Sequence, residues 1–383
     1  MKLKLLKYNK ISKLIFILFL FLNIIIKFDK QNIFKFKKKI KILKYFYKLN
    51  NKGILINRSN FTKKDYPKVS IISAVYNREK YIIRFFRSIQ NQFFDDIEMI
   101  FIDDFSNDNS SKIIENLKSF DERIILIKNK KNKGTLFSRN IGALKAKGEY
   151  LIFPDPDDIL LPGILKACYD SSKTYNYDLI RFNMLSDKFF IFGEFDNNLK
   201  KNIYQPELRT YLIYGYGYQK LVDGIIRNKF IKKTLFLIIL NDINNYFLNQ
   251  NMIYFEDGLI NYALHLNAKS LYLLNHMGYY YIYNQDSASR SIKMDSYLRC
   301  FFLYLKFFIE KTKNNEYERK IIFFILKEYI NQINVLKTIS NFSHIYDEVI
   351  DSMMKIKFIN NENKEKIKGY KKIISLILTL LPS

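Results

Sequence analysis

Between Val69 and Phe153, short apolar runs alternate with amphipathic stretches, and this alternation leaves few folds open. Val69 to Asn77 reads as a buried strand ending at a polar turn. Glu79 to Gln92 has helical spacing, with Ile82, Ile83, Phe86 and Ile89 assigned to one face. Ile97 to Ile102 is a second strand, Ser110 to Phe120 a helix with Ile113, Ile114 and Leu117 inward, and Ile124 to Ile127 a third strand. Ser138 to Lys147 reads as a helix closed by Gly148, and Tyr150 to Phe153 as a fourth strand. Strands that alternate with helices in this way build a parallel sheet covered on both faces. The turns after Val75, Ile102 and Phe153 then open at one edge, where such sheets bind ligands.

Two of those turns are acidic. Phe153 runs into Pro154-Asp155-Pro156-Asp157-Asp158, three carboxylates within four residues. Ile102 runs into Asp103-Asp104-Phe105-Ser106. Carboxylates this close raise one another's pKa unless a cation sits between them. Hard divalent cations prefer such oxygen donors and commonly take substrate phosphates as further ligands. A polar turn rich in Asp and Pro is the bland alternative for either run alone. A shared sheet edge brings Asp104 and Asp157 toward one crevice and favours a metal-assisted site for a phosphorylated substrate.

The pieces VSIISAVYN, SIQNQ, IEMIFIDDFSNDNS, NKGTLFSRNIGALKAKGEYLIFPDPDD and YFED, in this order and spacing, resemble the family 2 glycosyltransferases. The first four cover residues 67 to 162, and a weaker likeness runs to about residue 290. The resemblance implies an α/β, GT-A nucleotide-sugar-binding fold: a mostly parallel central sheet with helices on both faces, here followed by a helical C-terminal appendage. It implies that Ala74, Val75 and Tyr76 touch the base, and that Asp104 takes the base or ribose edge. Asp155 and Asp157 match the DxD and would hold Mn²⁺ or Mg²⁺ and the diphosphate; Asp158 follows them. Arg139 and Asn140 match the RN pair. Arg139 would either serve the donor site or hold the acidic loop by a salt bridge.

An inverting transferase also needs a base for the acceptor hydroxyl, and a carboxylate suits that task. The family draws it from an ED pair, matched here by Glu256 and Asp257. Asp257 is the expected base, with Glu256 flanking it in a substrate contact. The local alternative is a helix cap, because Asp257 precedes an apolar-periodic run and Asp favours that position. A Trp-x-Lys feature is missing around Leu221 to Gly224, which bears on the acceptor side alone. The tyrosines at 211, 214, 216 and 218 could stack on sugars, although 29 Tyr in the chain make such clusters ordinary.

These features together imply transfer from a nucleotide-diphosphate sugar, with UDP the expected carrier, to a hydroxyl of a glycan, lipid or protein. With no Trp there is no QxxRW motif of the processive synthases, so transfer of a single sugar, or a few, is expected rather than a long polymer. Two alternatives stand beside this. A nucleotidyltransferase would carry Gly in its first loop, and Ala74 to Arg78 has none. A non-catalytic sugar-binding scaffold would not need Asp257.

The net charge of +26 does not indicate nucleic acid, because residues 1 to 52 are dense in Lys with Asp29 their one acid. Leu14 to Ile26 is apolar apart from Asn23 and follows five lysines. It is shorter than the roughly 20 residues of a membrane-spanning helix, but snorkelling lysines extend it. The expected map is a signal anchor at 1–30, a basic stem at 31–66, the GT-A domain at 67–290 and a helical region at 291–383. Location is expected at a membrane through a single N-terminal pass, endomembrane in a eukaryote, with orientation open because lysines flank both ends. Sequons at Asn57 and Asn60 are compatible with a lumenal stem. Cys168 and Cys300 form no disulfide framework and match no metal spacing.

Overall fold

The computed structural model describes residues 64–186, 202–204, 226–247 and 256–282, with positions 300, 303 and 307. The anchor, nearly all of the stem, both sequons, the tyrosine cluster and most of the C-terminal region lie outside the described residues. Among the described residues, no helix is long and apolar enough to cross a membrane.

The described strands are β1 (Val69–Val75), β2 (Ile97–Asp103), β3 (Ile124–Lys128), β4 (Tyr150–Ile152), β5 (Ile159–Leu160), β6 (Leu179–Ser186), β7 (Asn202–Tyr204), β8 (Lys229–Lys232) and β9 (Ser270–Tyr281). The helices are α1 (Glu79–Gln90), α2 (Ser110–Lys118), α3 (Thr135–Lys145), α4 (Ile164–Tyr175), α5 (Lys233–Phe247) and α6 (Glu256–Asn267). The chain divides into two compact units. The first holds Met1–Tyr204, Ile226–Asn241 and Ala268–Gln285; the second holds Gln205–Ile225, Asp242–Asn267 and Asp286–Ser383. All nine strands belong to the first unit and α6 to the second.

The sheet runs in the order β3-β2-β1-β4-β8-β6-β9-β5, with β7 beside β9. From β3 to β4 it is parallel, as the alternating pattern requires. Beyond β4 it is mixed: β8 is antiparallel to both β4 and β6, while β6 and β9 run parallel. β1 and β2 are buried on both faces, which explains their near-continuous apolar runs.

Helix α1 buries Ile82, Phe85, Phe86 and Ile89, the i, i+3, i+4, i+7 set of one face. Ile83, expected inward, is 37 % exposed, because one residue along a helix turns the side chain about 100° away. In α2, Ile114 and Leu117 are the buried pair and Ile113 is only partly covered.

Gly148 has a different task from the helix stop expected of it. Helix α3 has already ended at Lys145, capped by Ala146 in extended conformation. Gly148 instead passes against β1: a Cβ there would meet the Ser70 amide nitrogen at 2.5 Å. Its N–H donates to Ser70 Oγ at 2.8 Å and to Glu98 at 3.1 Å, and Ser70 Oγ donates to Glu98 at 2.6 Å. The buried carboxylate of Glu98 thereby ties β2, β1 and the start of β4 together. Gly148→Ala is expected to cost about 1–3 kcal/mol, because the neighbour is backbone and has little room to retreat. A urea titration should show a lower midpoint at unchanged slope; an unaltered midpoint would contradict this packing.

Candidate active site at the strand ends

Strand β4 is short. Its register with β1 stops at Ile71↔Ile152, while β1 continues to Val75. The chain therefore leaves the sheet early, and Asp155, Asp157 and Asp158 follow in a loop at the carboxyl edge. Their carboxylate oxygens lie within 4.8 Å of one another.

Three arginines face this cluster. Arg139, from α3, holds one oxygen of Asp155 at 3.0 Å, and Arg227 holds the other at 2.8 Å. Arg78, after β1, approaches Asp157 at 3.6 Å. Arg227 also lies 3.4 Å from Asp158 and stacks on the Tyr281 ring at 5.0 Å. Asp158 is fully engaged. It accepts from the Tyr279 hydroxyl at 2.7 Å and from the Ile282 amide at 2.9 Å, while Tyr279 in turn accepts the Asp155 amide at 3.1 Å.

Electrostatics separate the three carboxylates. Burial pushes Asp155 up, but Arg227 and Arg139 outweigh it and hold Asp155 below the ordinary carboxylate range. Asp157 is raised by burial and by the charge of Asp155. Asp158 is raised well above the ordinary range by burial and by Asp157. An acid cluster with two members pushed upward gains from a cation, and hard cations take oxygen ligands. The donor set fits one: Asp157 would offer the open oxygens, and Asp155 would join it by giving up part of its hold on Arg139 or Arg227, while Asp158 is committed to Tyr279 and Ile282.

The neighbouring turns are stitched to each other. Asn77, in the left-handed region at φ 52°, donates its amide to Ser106 Oγ at 3.0 Å and accepts from the Asn107 amide at 2.8 Å. The Glu79 amide donates to Asp108 at 3.0 Å. Ala74 and Val75 end β1, and Tyr76 stands 42 % exposed just beyond. Asp104 is buried. Its carboxylate accepts from Asn129 Nδ2 at 2.7 Å and from the amides of Lys133 and Gly134 at 2.8 and 2.7 Å. It thus fixes the loop that begins α3 and, one turn on, carries Arg139.

Glu256 and Asp257 occupy the first turn of α6 in the second unit. The helix begins at Glu256, which puts Asp257 inside the first turn rather than at the cap. Its carbonyl accepts from Asn261 Nδ2 at 2.7 Å. His276, on β9, is held down to about 4 by burial, in keeping with a structural role.

Arg78 and Arg227 are site residues that sequence reasoning missed, and Arg227 is the less legible of the two. Strand β8 is antiparallel to β4, with Leu151↔Ile231 paired. Continuing that register backwards brings Arg227 level with Asp155. Nothing local in the sequence announces an antiparallel neighbour for β4.

Fold and site together define a GT-A glycosyltransferase. The family model described as glycosyl transferase family 2 matches residues 70–237. An uncharacterized glycosyltransferase of Haemophilus influenzae is 32% identical over 184 residues, 48% of this chain and 71% of that protein. The chain belongs to this family of glycosyltransferases. The GalNAc(5)-diNAcBac-PP-undecaprenol beta-1,3-glucosyltransferase of Campylobacter jejuni is 39% identical over 102 residues, 26% of this chain and 33% of that enzyme. The crystal structure of S. aureus TarS 1-349 in complex with UDP-GlcNAc shares the fold, with TM-score 0.55 and 19% identity over 82% of this chain and 92% of that one.

Proposed function

We propose that this chain is a metal-dependent, inverting glycosyltransferase that moves a single sugar from a UDP-linked donor to an acceptor hydroxyl. The observation that carries the reading is the Asp155–Asp157 pair at the carboxyl edge of β4, framed by Arg78, Arg139 and Arg227. Carboxylates and guanidinium groups side by side suit a cation and a diphosphate bound together, since Arg pairs with phosphate through several donors at once. Bound Mn²⁺ or Mg²⁺ would neutralise charge on the leaving diphosphate. Tyr76 offers an exposed ring for a base at the end of β1. Asp257 would take the acceptor proton, with Glu256 beside it.

The named relatives support a nucleotide sugar on one side and a glycan or lipid on the other. The Campylobacter enzyme is named for an undecaprenol-linked glycan, and TarS is seen with UDP-GlcNAc. An apolar, lysine-flanked N-terminus supports a membrane tether for such an acceptor.

Calorimetric titration of the full chain with UDP, GDP and CDP, each with and without Mn²⁺, tests the reading. Mn²⁺-dependent binding of UDP is the expected result. A folded protein that binds none of the three would instead be a sugar-binding scaffold with a lost donor site.

A further inference from the structure

Helix α1 supplies none of the acidic side chains, yet it grips the loop that carries them. Its polar positions Arg84 and Ser88, and Gln92 just past its end, recur every four residues and look in sequence like a solvent face. They are buried instead, at 5 %, 1 % and 0 % exposure. Burying a guanidinium and an amide is costly unless each finds partners. Ser88 Oγ and Gln92 Nε2 each donate one bond back to α1, to the carbonyls of Phe85 and Ser88 at 2.7 and 3.1 Å. Beyond the helix, all three side chains reach one segment, residues 157 to 165. Arg84 Nη2 donates to the carbonyl of Asp157. Ser88 Oγ accepts from the Leu160 amide at 3.3 Å. Gln92 Nε2 donates to the carbonyls of Leu160 and Leu161 at 3.2 and 3.0 Å, and its Oε1 accepts from the Leu165 amide at 3.4 Å. β9 holds the same segment through Tyr279 on Asp158 and by pairing with β5, and Ile282, just past its end, adds its amide to Asp158.

We propose that Arg84, Ser88 and Gln92 are positioning residues that set where Asp155 and Asp157 stand, and so tune cation and diphosphate binding from the buried side of the loop. This rests on the donor-site reading above. Residues 153 to 158, between β4 and β5, lie outside the ladder that β5 then makes with β9. The stripe adds side-chain bonds to that pairing, and Arg84 acts on the main chain of Asp157 itself.

The test compares the full chain with Arg84→Met, Gln92→Leu and Arg84→Lys. Amide exchange of residues 155 to 165 is read first, without ligand. The Met and Leu variants are expected to exchange this segment about tenfold faster while β1 and β2 stay protected, as for a local opening. Mn²⁺-dependent UDP affinity should fall by about tenfold or more in the same two variants, since misplacement by about 1 Å is enough for such losses. Arg84→Lys keeps a donor and should regain part of both. Asp121→Asn breaks the buried Arg123–Asp121 pair (2.7 Å) at the opposite edge of the sheet, and should lower the thermal midpoint without touching UDP affinity. Unchanged exchange overturns the proposal. So does faster exchange with wild-type affinity, or an equal affinity loss in Asp121→Asn. A wild-type chain that binds neither Mn²⁺ nor nucleotide sinks the donor-site reading instead, and the exchange data alone then decide whether the stripe holds the loop.

Discussion

Replacing Asp157 with Asn is expected to abolish Mn²⁺-dependent UDP binding. Among the three clustered carboxylates, Asp157 has the most capacity left. Asp155 has an arginine on each oxygen, and Asp158 is spent on Tyr279 and Ile282. Among the described residues, the ion pair of Asp157 is Arg78 at 3.6 Å, too long for a hydrogen bond. A cation entering the cluster therefore finds its open oxygens on Asp157. Loss of a groups-away neighbour of a metal ligand already costs about 10–100-fold in affinity, so loss of the ligand should cost at least about 100-fold.

The sign of the metal-free result separates this from simple damage. With EDTA present, Asp157→Asn should bind UDP at least as well as the wild type, because one negative charge beside the diphosphate is gone. Its thermal midpoint should hold or rise, since burial and Asp155 disfavour the Asp157 carboxylate in the folded protein. Isothermal titration in Mn²⁺ and in EDTA reads both arms. A mutant that keeps its Mn²⁺ response would move the metal site away from Asp157.

Sequence reached the parallel half of the sheet and the acid loop because both are local. Ile71, Ile72 and Ile100 announce buried strands, and Asp155 to Asp158 follow one of them directly. What it could not reach depends on partners distant along the chain. Arg227 meets Asp155 only because β8 runs antiparallel beside β4. Glu98 looks like a surface residue in an apolar run until Ser70 and Gly148 are brought to it. Arg84 and Ser88 look solvated by periodicity alone, yet the 157–165 segment covers them. Periodicity separates apolar from polar faces, and a buried polar face is invisible to it. Gly148 was legible as an interruption and not as a close approach, because glycine serves both purposes.

Asp257→Asn is expected to leave Mn²⁺-dependent UDP affinity intact and to lower turnover of the donor by about 10²–10⁴-fold, the range lost when a general base is removed. The size of the loss decides between chemistry and helix structure. Asp257 shares the first turn of α6 with Glu256, where negative charge is worth about 0.3–1 kcal/mol to the helix. A loss of 10²–10⁴-fold corresponds to about 3–5 kcal/mol of transition-state stabilisation, well beyond that structural share. Release of UDP from the bound sugar nucleotide, with water standing in for the acceptor, provides the rate. The thermal midpoint of the same sample provides the structural share, and it should fall by no more than a few degrees for so small a cost. Asn keeps the shape and hydrogen-bonding reach of Asp but cannot accept the proton, so the helix turn persists while the step fails. Near wild-type turnover would place the base on another residue. A joint loss of turnover and UDP affinity would make Asp257 part of donor binding instead.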